Sequence, residues 1–539
     1  MQKVNTKKKI ILAIIGLLIL VIIALLIGRF TFSYLGADIG EDVKNEGEIT
    51  ASGDTIIFSK GNNLSLSATT DNFNAISGNL TDTTNPSVRL IASSKTNEAS
   101  ATYYAGIKIL KNTFTYSSGT TAELILTVRD ETGALVTTSS DDLDYVTVNG
   151  ISGFDITDKT GAFNISSKHP INTNSSTSGT THTWTFTLTF INLETDQSIN
   201  ENATLDMDVI LQKDEIVMPT FADLCREDNS NTFACKIATT YTTDGENGLY
   251  YHDGVGTYTN ADQEAGDNSY RYSGANPNNY VCFGSDAETC PDEYLYRIIG
   301  VFDENHDYEY NVKLIKADYT TSEMLGTNGR DYSGNYPSIT SHYIGNMDTS
   351  TIAIYRWNYD TSVSSLGSNN WTTSELNKIN LNSNYLNYLG ILWNNMIEDS
   401  IWHLGGMLSY NNTTKNFYVG ERNNNGYSNN PTKYTAKIGL MYASDYGYAA
   451  YPHAWVTKLS SYDSTIIKEN NWLYLGLNEW GITSNSSYNF HVFSWGVNSS
   501  LNSSAASVEC SIRPVFYLKS NISYVSGDGT KASPFRVGV

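Results

Sequence analysis

Residues 10–28 form an unbroken apolar run, IILAIIGLLILVIIALLIG, just after a lysine-rich start that contains Lys3, Lys7, Lys8 and Lys9. A helix needs about 20 apolar residues to cross the hydrocarbon core of a bilayer. The apolar part of a secretory signal is usually shorter, about 7–15 residues. We therefore predict a single transmembrane signal-anchor at residues 10–28.

Lysine-rich flanks stay in the cytoplasm, so residues 1–9 are expected to form a cytoplasmic tail and the chain beyond the anchor to be extracellular. The alternative is a long signal peptide that is cleaved near the small residues Gly36 and Ala37. Both interpretations place the bulk of the chain outside the cytoplasm.

The chain is acidic, with 34 Lys and Arg residues against 56 Asp and Glu residues and a formal net charge of -22. Nucleic acids and anionic lipid surfaces are bound by basic surfaces, so we expect no nucleic acid among the partners. Tyrosine is frequent, with 37 residues. It is favoured both at binding surfaces and in strands, so this composition fits either a contact surface or a strand-dense fold.

Four of the five cysteines lie in two close pairs, Cys225 with Cys235 and Cys282 with Cys290. In an extracytoplasmic chain such spacing is typical of local disulfides. Zinc is the alternative, but zinc sites need closer cysteines or nearby histidines. We predict two disulfides, no metal site and an unpaired Cys510.

Residues 40–215 have the pattern of an all-β domain. In residues 183–190, TWTFTLTF, large apolar side chains alternate with threonines, which is the period of a half-buried strand. The same period recurs in residues 205–211. Further strands are predicted at residues 55–58, 87–92, 103–110, 123–128 and 145–148. Short strands separated by Gly, Asn, Asp and Ser clusters predict a β-sandwich.

Two segments of this region, ATYYAGIKIL and TWTFTLTFINL, are similar to segments of the exported camelysin and TasA-type fibre proteins. The resemblance covers about 150 residues. It implies a jelly-roll β-sandwich and, as an alternative function, a fibre subunit.

Two further regions follow the predicted sandwich. Residues 216–280 contain few apolar periodicities, so they are predicted to be a connecting region of loops that packs onto the next domain. Residues 281–539 are predicted to be a mixed α+β domain with strands at residues 294–302 and 312–315.

The strongest helical pattern of this domain lies in residues 371–397, where Thr373 or Ser374 can supply the N-cap. The C-terminal segment, RPVFYLKSNISYVSGDGTKASPFRV, is predicted to form a strand, a Gly-Asp-Gly turn and a final strand.

A set of segments in residues 275–539 resembles an uncharacterised surface-protein domain of low-GC Gram-positive bacteria. They are NNYVCFGSDAETCPDEYLYRIIGVF, WNYDTSVSSLGSNNWTTSELN, YTAKIGLMYASDYGYA, NWLYLGLNEW and the C-terminal segment. The fold of that family is similar to the folds of C-type lectins and formylglycine-generating enzymes. The resemblance implies a C-type-lectin-like domain at residues 281–539 but no particular activity.

Motifs for catalysis and cofactor binding are missing from the sequence. It contains no H-E-x-x-H, G-x-S-x-G, Walker A or G-x-G-x-x-G motif. Formylglycine-generating enzymes use a late reactive cysteine pair, and only Cys510 lies late in this chain. The acidic run DENHDYEYN at residues 303–311 is interpreted as a solvated hairpin tip, with a calcium site as its alternative. No enzyme activity and no cofactor are therefore expected.

Residues 482–510 stand out because they contain nine serines and four asparagines with scattered aromatic residues. This composition is typical of adaptable contact loops. C-type-lectin-like domains diversified by bacterial retroelements vary at this place, so the resemblance implies a variable binding loop; an ordinary polar surface loop is the alternative. Val492, Phe493 and Trp495 are the side chains most expected to turn into the core. The candidate ligand-binding residues are Tyr488, Asn489, Phe490, His491, Trp495 and Asn498.

These observations predict a multidomain chain with an N-terminal transmembrane helix, an all-β sandwich and an α+β C-type-lectin-like domain. The leading hypothesis is a membrane-anchored extracellular adhesion or ligand-binding protein whose partner is a protein or glycan on cells or matrix. The alternatives are a structural subunit of a surface fibre or matrix and, in a different class, a formylglycine-enzyme-like oxidase.

Overall fold

The computed structural model describes residues 47–538 except 52–53, 59–62, 74–77, 82–87, 95–100, 142, 172–179, 228–229, 254–262, 305–308, 338–340 and 424–425. The predicted cytoplasmic tail and signal-anchor, residues 1–28, lie outside the described residues. No helix among the residues described has the length and apolar character needed to cross a membrane. The chain divides into two units between Met218 and Pro219.

The first unit is built from antiparallel strands. In the described residues these are β1 (Gly47–Ala51), β2 (Asp54–Phe58), β3 (Leu64–Ser67), β4 (Leu80–Thr81), β5 (Val88–Ser94), β6 (Ala101–Asn112), β7 (Leu124–Arg129), β8 (Tyr145–Val148), β9 (Ile151–Asp155), β10 (Gly161–Ile171), β11 (Thr180–Phe190) and β12 (Thr204–Gln212), with one 3-10 turn at Ser198–Asn200. One sheet has the order β1-β2-β5-β11-β7-β9-β8, with β4 also paired to β11, and the other has the order β10-β6-β12-β3.

The two sheets share one hydrophobic core, to which alternate side chains of the strands contribute. On β11 these side chains are Trp184, Phe186, Leu188 and Phe190, each no more than 1% exposed. Strands β6 and β12 contribute every second residue in the same way. Each fully buried large apolar side chain stabilises the fold by roughly 1.5–3 kcal/mol. The predicted architecture of two sheets packed around one core, a β-sandwich, is confirmed.

The second unit mixes strands with short helices. Its described strands are β13 (Leu249–His252), β14 (Ser269–Tyr272), β15 (Tyr280–Cys282), β16 (Leu295–Phe302), β17 (Asn311–Lys316), β18 (Tyr332–Asn335), β19 (Ala353–Arg356), β20 (Ser400–His403), β21 (Gly406–Met407), β22 (Lys433–Ala436), β23 (Ile438–Gly439), β24 (Glu479–Asn485), β25 (His491–Trp495), β26 (Leu501–Ala505), β27 (Glu509–Ser511), β28 (Val515–Tyr517), β29 (Ser523–Ser526) and β30 (Phe535–Gly538).

The helical segments of this unit are mostly shorter than ten residues. The α-helices are Phe221–Glu227, Phe233–Ala238, Ser322–Leu325, Leu386–Leu389, Ile391–Asn394, Thr414–Arg422, Ala443–Ala449 and Thr465–Glu469. A π-helix spans Leu376–Tyr385. Turns of 3-10 helix are Glu246–Gly248, Asp292–Tyr294, Thr349–Thr351, Trp371–Thr373, Pro452–Ala454 and Leu459–Ser461.

Two larger sheets organise the second unit. The first has the order β23-β28-β17-β16-β15-β30-β29, with β14 paired to β16 and β13 to β14. The second has the order β18-β19-β27-β24-β25-β26, with β21 paired to β24, and a separate pair joins β20 to β22. Every residue of β16 is buried, which explains why its sequence, LYRIIGVF, is almost continuously apolar.

The expectation of loops at residues 216–280 is wrong. This region contains two helices and three strands or parts of strands, and Tyr270 of β14 pairs with Val301 of β16. Its aromatic side chains provide the reason, since Tyr270 and Tyr272 are buried in the core of the second unit. Residues 219–280 are therefore an integral part of the second unit, onto which they pack as expected.

The helical prediction for residues 371–397 holds for its central part, with a break at Gly390. Ser374 accepts the backbone N–H of Asn377 at 3.1 Å, as expected of an N-cap. The carboxylate of Asp331 accepts the two orphan N–H groups that precede that of Asn377 in the first turn, those of Glu375 and Leu376, at 2.9 Å each. A distant acidic side chain thus completes the cap.

Both predicted disulfides are confirmed. Cys225 is bonded to Cys235 with Cα atoms 5.3 Å apart, and Cys282 to Cys290 with Cα atoms 5.8 Å apart. Cys510 is free and buried. Both bridges lie in the second unit.

Candidate functional site

A cleft of 450 Å³ in the second unit brings together charged and aromatic side chains from separate elements. Phe302 ends β16, and Asp303 and Glu304 follow it directly. Tyr418 and Arg422 come from the helix Thr414–Arg422. The volume lies in the range of small-molecule sites, about 300–1,000 Å³.

The remaining lining residues come from the edges of the same unit. Asp267 precedes β14, Ile401 and His403 lie on β20, and Lys433 begins β22. The cleft therefore carries carboxylates and cations side by side, with apolar side chains between them.

Glu304 and Arg422 form the central ion pair of the cleft. Nη2 of Arg422 donates to Oε1 of Glu304 at 2.7 Å, and the hydroxyl of Tyr517 donates to the same oxygen at 2.9 Å. Burial acts to raise the pKa of Glu304, but Arg422, Lys313 and His403 outweigh it and hold the pKa at about 2. Glu304 is consequently ionised at neutral pH.

Arg422 has donor capacity left over. Its guanidinium lies over the ring of Tyr418, 4.0 Å from the ring centroid. Its Nη1 nitrogen is covered from solvent and makes no hydrogen bond to any residue that the structure describes. Oε2 of Glu421 is 3.9 Å from this nitrogen, beyond hydrogen-bond reach. Nη1 is thus an unsatisfied buried donor, and a ligand in the cleft meets only the exposed 16% of the Arg422 side chain.

A buried charge network lies beside the cleft. Arg271 donates to Asp267 and approaches Asp445, which in turn accepts from Nζ of Lys313 at 2.7 Å. The Arg271 side chain is 1% exposed and that of Lys313 is fully buried. Burial acts to raise the pKa of Asp267, but Arg271 and neighbouring cations outweigh it and hold the pKa well below its usual range. Such networks are costly for stability unless fully paired, and strongly shifted groups cluster at functional sites.

None of the residues of this network was predicted from the sequence. Arg271, Lys313 and Asp445 each interrupt a run of aromatic or apolar residues, SYRY, NVKLIK and YASDYGYA. A charge inside such a buried run is the signal that could have found them. The interpretation of residues 303–311 as a solvated tip is wrong for its first two residues, since Asp303 and Glu304 line the cleft.

The predicted contact segment 482–510 is not a surface loop. It supplies most of β24 and all of β25 and β26, and every residue of β24 is buried. Its polar side chains can be buried because they have partners. Thr483, for example, donates to Glu421 at 2.7 Å. Trp495 is 2% exposed, so its assignment as a ligand contact is wrong, whereas Val492, Phe493 and Trp495 pack in the core as expected.

Four of the other candidates lie together at the turn between β24 and β25. The ring centroid of His491 is 4.9 Å from that of Tyr488 and 4.6 Å from that of Phe490. Tyr488 is 51% exposed, and Asn489 lies between the two aromatic residues. Asn498 lies beyond the far end of β25, so the structure does not bring it to this turn. We call residues 486–491 the aromatic turn.

Asn369 holds the aromatic turn in place. Its side-chain nitrogen donates to the carbonyl oxygens of Tyr488 at 2.7 Å and Asn485 at 2.9 Å. Its backbone N–H donates to the carbonyl oxygen of Asn489 at 2.8 Å. The partly exposed rings of the aromatic turn are therefore carried on a fixed backbone. A fixed backbone lowers the entropy cost of binding a partner.

Cys510 lies within β27 and is 1% exposed. Burial, followed by the charges of Glu479 and Glu509, raises the pKa of its thiol well above the usual range. A reactive cysteine is an accessible thiolate. The thiol of Cys510 is neither accessible nor easily ionised, so it does not fit a reactive cysteine.

Comparison with known proteins returned no match: no protein-family model, no curated protein and no solved structure is similar to this chain.

Proposed function

We propose that this chain is a cell-surface adhesion or ligand-binding protein, anchored through residues 10–28, whose second unit holds its ligand in the charged cleft. The observation that carries the proposal is a cleft of 450 Å³ in which the ion pair of Glu304 and Arg422 meets the ring of Tyr418. A concave site with convergent polar groups is the usual form of a small-ligand site.

The chemistry of the cleft favours a polyhydroxylated ligand, such as a glycan. Sugar hydroxyls both donate and accept, so one ring can donate to the carboxylate of Glu304 and accept from Arg422. An anionic ligand would meet Glu304 and Asp267, and a cationic one would meet Arg422. The partly exposed ring of Tyr418 adds apolar surface against which a sugar ring can pack.

The aromatic turn supports a second contact, with a protein on cells or matrix. Tyr488, Phe490 and His491 form a partly exposed aromatic group on a backbone held by Asn369. Aromatic side chains are the usual energetic centres of protein interfaces. This contact and the cleft are compatible with one adhesion function.

Glycan binding by the purified full-length protein in detergent tests the proposal. Arg422→Lys keeps the positive charge beside Glu304 but removes the planar donor set, so glycan affinity should fall about tenfold, the loss of roughly one good hydrogen bond to a charged group. The matched control is Arg356→Lys, which alters an ion pair with Glu509 outside the cleft and should leave affinity unchanged.

Two outcomes would overturn the proposal: no binding to any member of a broad glycan array, or equal binding by Arg422→Lys and the unaltered protein. Filaments in electron micrographs of the purified protein, together with absent glycan binding, would favour the fibre-subunit alternative.

A further inference from the structure

Three potential metal ligands meet in the first unit, away from the cleft. Glu131 lies in the turn after β7, His169 on β10 and His182 on β11. One ligand atom of each lies within 4.8 Å of the ligand atoms of the other two. Two imidazoles and a carboxylate form one of the common ligand sets of zinc.

The spacing is close to that of a metal site. Nε2 of His169 and Oε2 of Glu131 are 3.1 Å apart. A tetrahedral zinc ion with bonds of about 2.0–2.2 Å keeps its ligand atoms roughly 3.4 Å apart. Both atoms are covered from solvent, and neither makes a hydrogen bond within the described residues. The two atoms form an ion pair only when His169 is protonated; with a neutral imidazole both lack a partner, and a metal ion would serve both.

The Nδ1 nitrogens of both histidines have hydrogen-bond partners, as is usual for histidines that bind a metal. Nδ1 of His169 lies 3.2 Å from the hydroxyl of Ser166, and Nδ1 of His182 lies 2.9 Å from the hydroxyl of Tyr103. That hydroxyl also accepts from Nε1 of Trp184 at 2.7 Å. A hydrogen bond at Nδ1 fixes the orientation of an imidazole and leaves its Nε2 for a metal, and in His169 it is Nε2 that faces Glu131.

The backbone also turns His169 toward the site. The pairing of β10 with β6 shifts register between Ser166 and His169, and Lys168 within this irregularity has a φ of 50°. Bulges of this kind re-aim side chains in sheets. The ring of His169 then packs against Trp184 of the other sheet, with centroids 5.0 Å apart.

We propose that Glu131, His169 and His182 bind one zinc-class divalent ion that links the two sheets of the sandwich. His169 belongs to the sheet of β6 and β10. In the other sheet, His182 lies on β11, and Glu131 lies in the turn that follows β7. A bound ion would therefore stabilise the folded sandwich. Three protein ligands leave the fourth position of a tetrahedral ion for water.

The test is metal titration of untagged, chelator-treated full-length protein in detergent. Zn²⁺ should bind with one equivalent by calorimetry, and Co²⁺ should give the intense visible absorption of a tetrahedral site. His169→Gln, His182→Gln and Glu131→Gln should each weaken binding by at least about tenfold. Tyr103→Phe, which leaves all three ligands but removes the hydroxyl at His182, should weaken it by roughly 10–100-fold.

The matched controls are His342→Gln and Glu201→Gln, two exposed positions that should leave binding unchanged. Circular dichroism checks that each variant is folded. The proposal is overturned if the folded protein binds no Zn²⁺ or Co²⁺, or if binding survives in the ligand variants, which would mean adventitious binding elsewhere.

Discussion

At the scale of single residues, Glu421 makes the stability of the second unit depend on pH. It is fully buried beside Arg422 and accepts hydrogen bonds from Ser444 and Thr483. Burial outweighs these contacts and raises its pKa to about 7 from a usual value of 4.5. The folded protein keeps this proton over a range in which the unfolded chain releases it. The contribution to stability is therefore complete below about pH 4.5 and is lost as the pH rises to about 7.

Glu421→Gln should remove this pH dependence. The gap between the two pKa values corresponds to roughly 3 kcal/mol, so the fall in the free energy of unfolding between about pH 4 and about pH 8 should be smaller by this order. Urea denaturation at a series of pH values measures it. The control is Glu288→Gln at an exposed position of the same unit. Parallel profiles for Glu421→Gln and the unaltered protein would contradict the assignment.

At the scale of elements, local alternation predicts strands well where one face is buried. The predicted strands at residues 183–190 and 205–211 lie within β11 and β12. Residues 482–510 show the limit, because serine and asparagine are buried there through partners far away in the sequence, such as Glu421 for Thr483. The cleft could not be predicted for the same reason, since its residues come from separate elements spread between positions 267 and 433.

The aromatic turn gives an element-scale prediction. Tyr488→Ser, Phe490→Ser and His491→Ser should each reduce binding of the protein to cells, because the three rings form one contact group. Stability should change little for Tyr488, within about 0.5 kcal/mol, because that side chain is exposed. Flow cytometry measures cell binding, and Val525→Ser, an exposed apolar position elsewhere, is the control. Unchanged binding in all three variants would exclude the turn as a contact surface and would strengthen the fibre-subunit alternative.

At the scale of the whole molecule, the two units differ in what stabilises them. Both disulfides lie in the second unit, whereas the proposed metal ligands lie in the first. Eight of the nine tryptophans also belong to the second unit, and Trp184 alone belongs to the first. Tryptophan fluorescence therefore reports mainly on the second unit, while the strand signal in circular dichroism reports on both.

Thermal unfolding of the full-length protein should accordingly respond to two reagents in two different ways. A reductant should lower the fluorescence midpoint, because each disulfide closes a loop of about ten residues and contributes roughly 2–3 kcal/mol. A chelator should lower the unfolding midpoint of the sandwich alone, because the proposed metal ion stabilises only that unit. Circular dichroism should detect this shift, whereas tryptophan fluorescence should change little. The double variant Cys282→Ala/Cys290→Ala should reproduce part of the effect of the reductant and leave the effect of the chelator intact. A single transition that both reagents shift equally would show that the units unfold together.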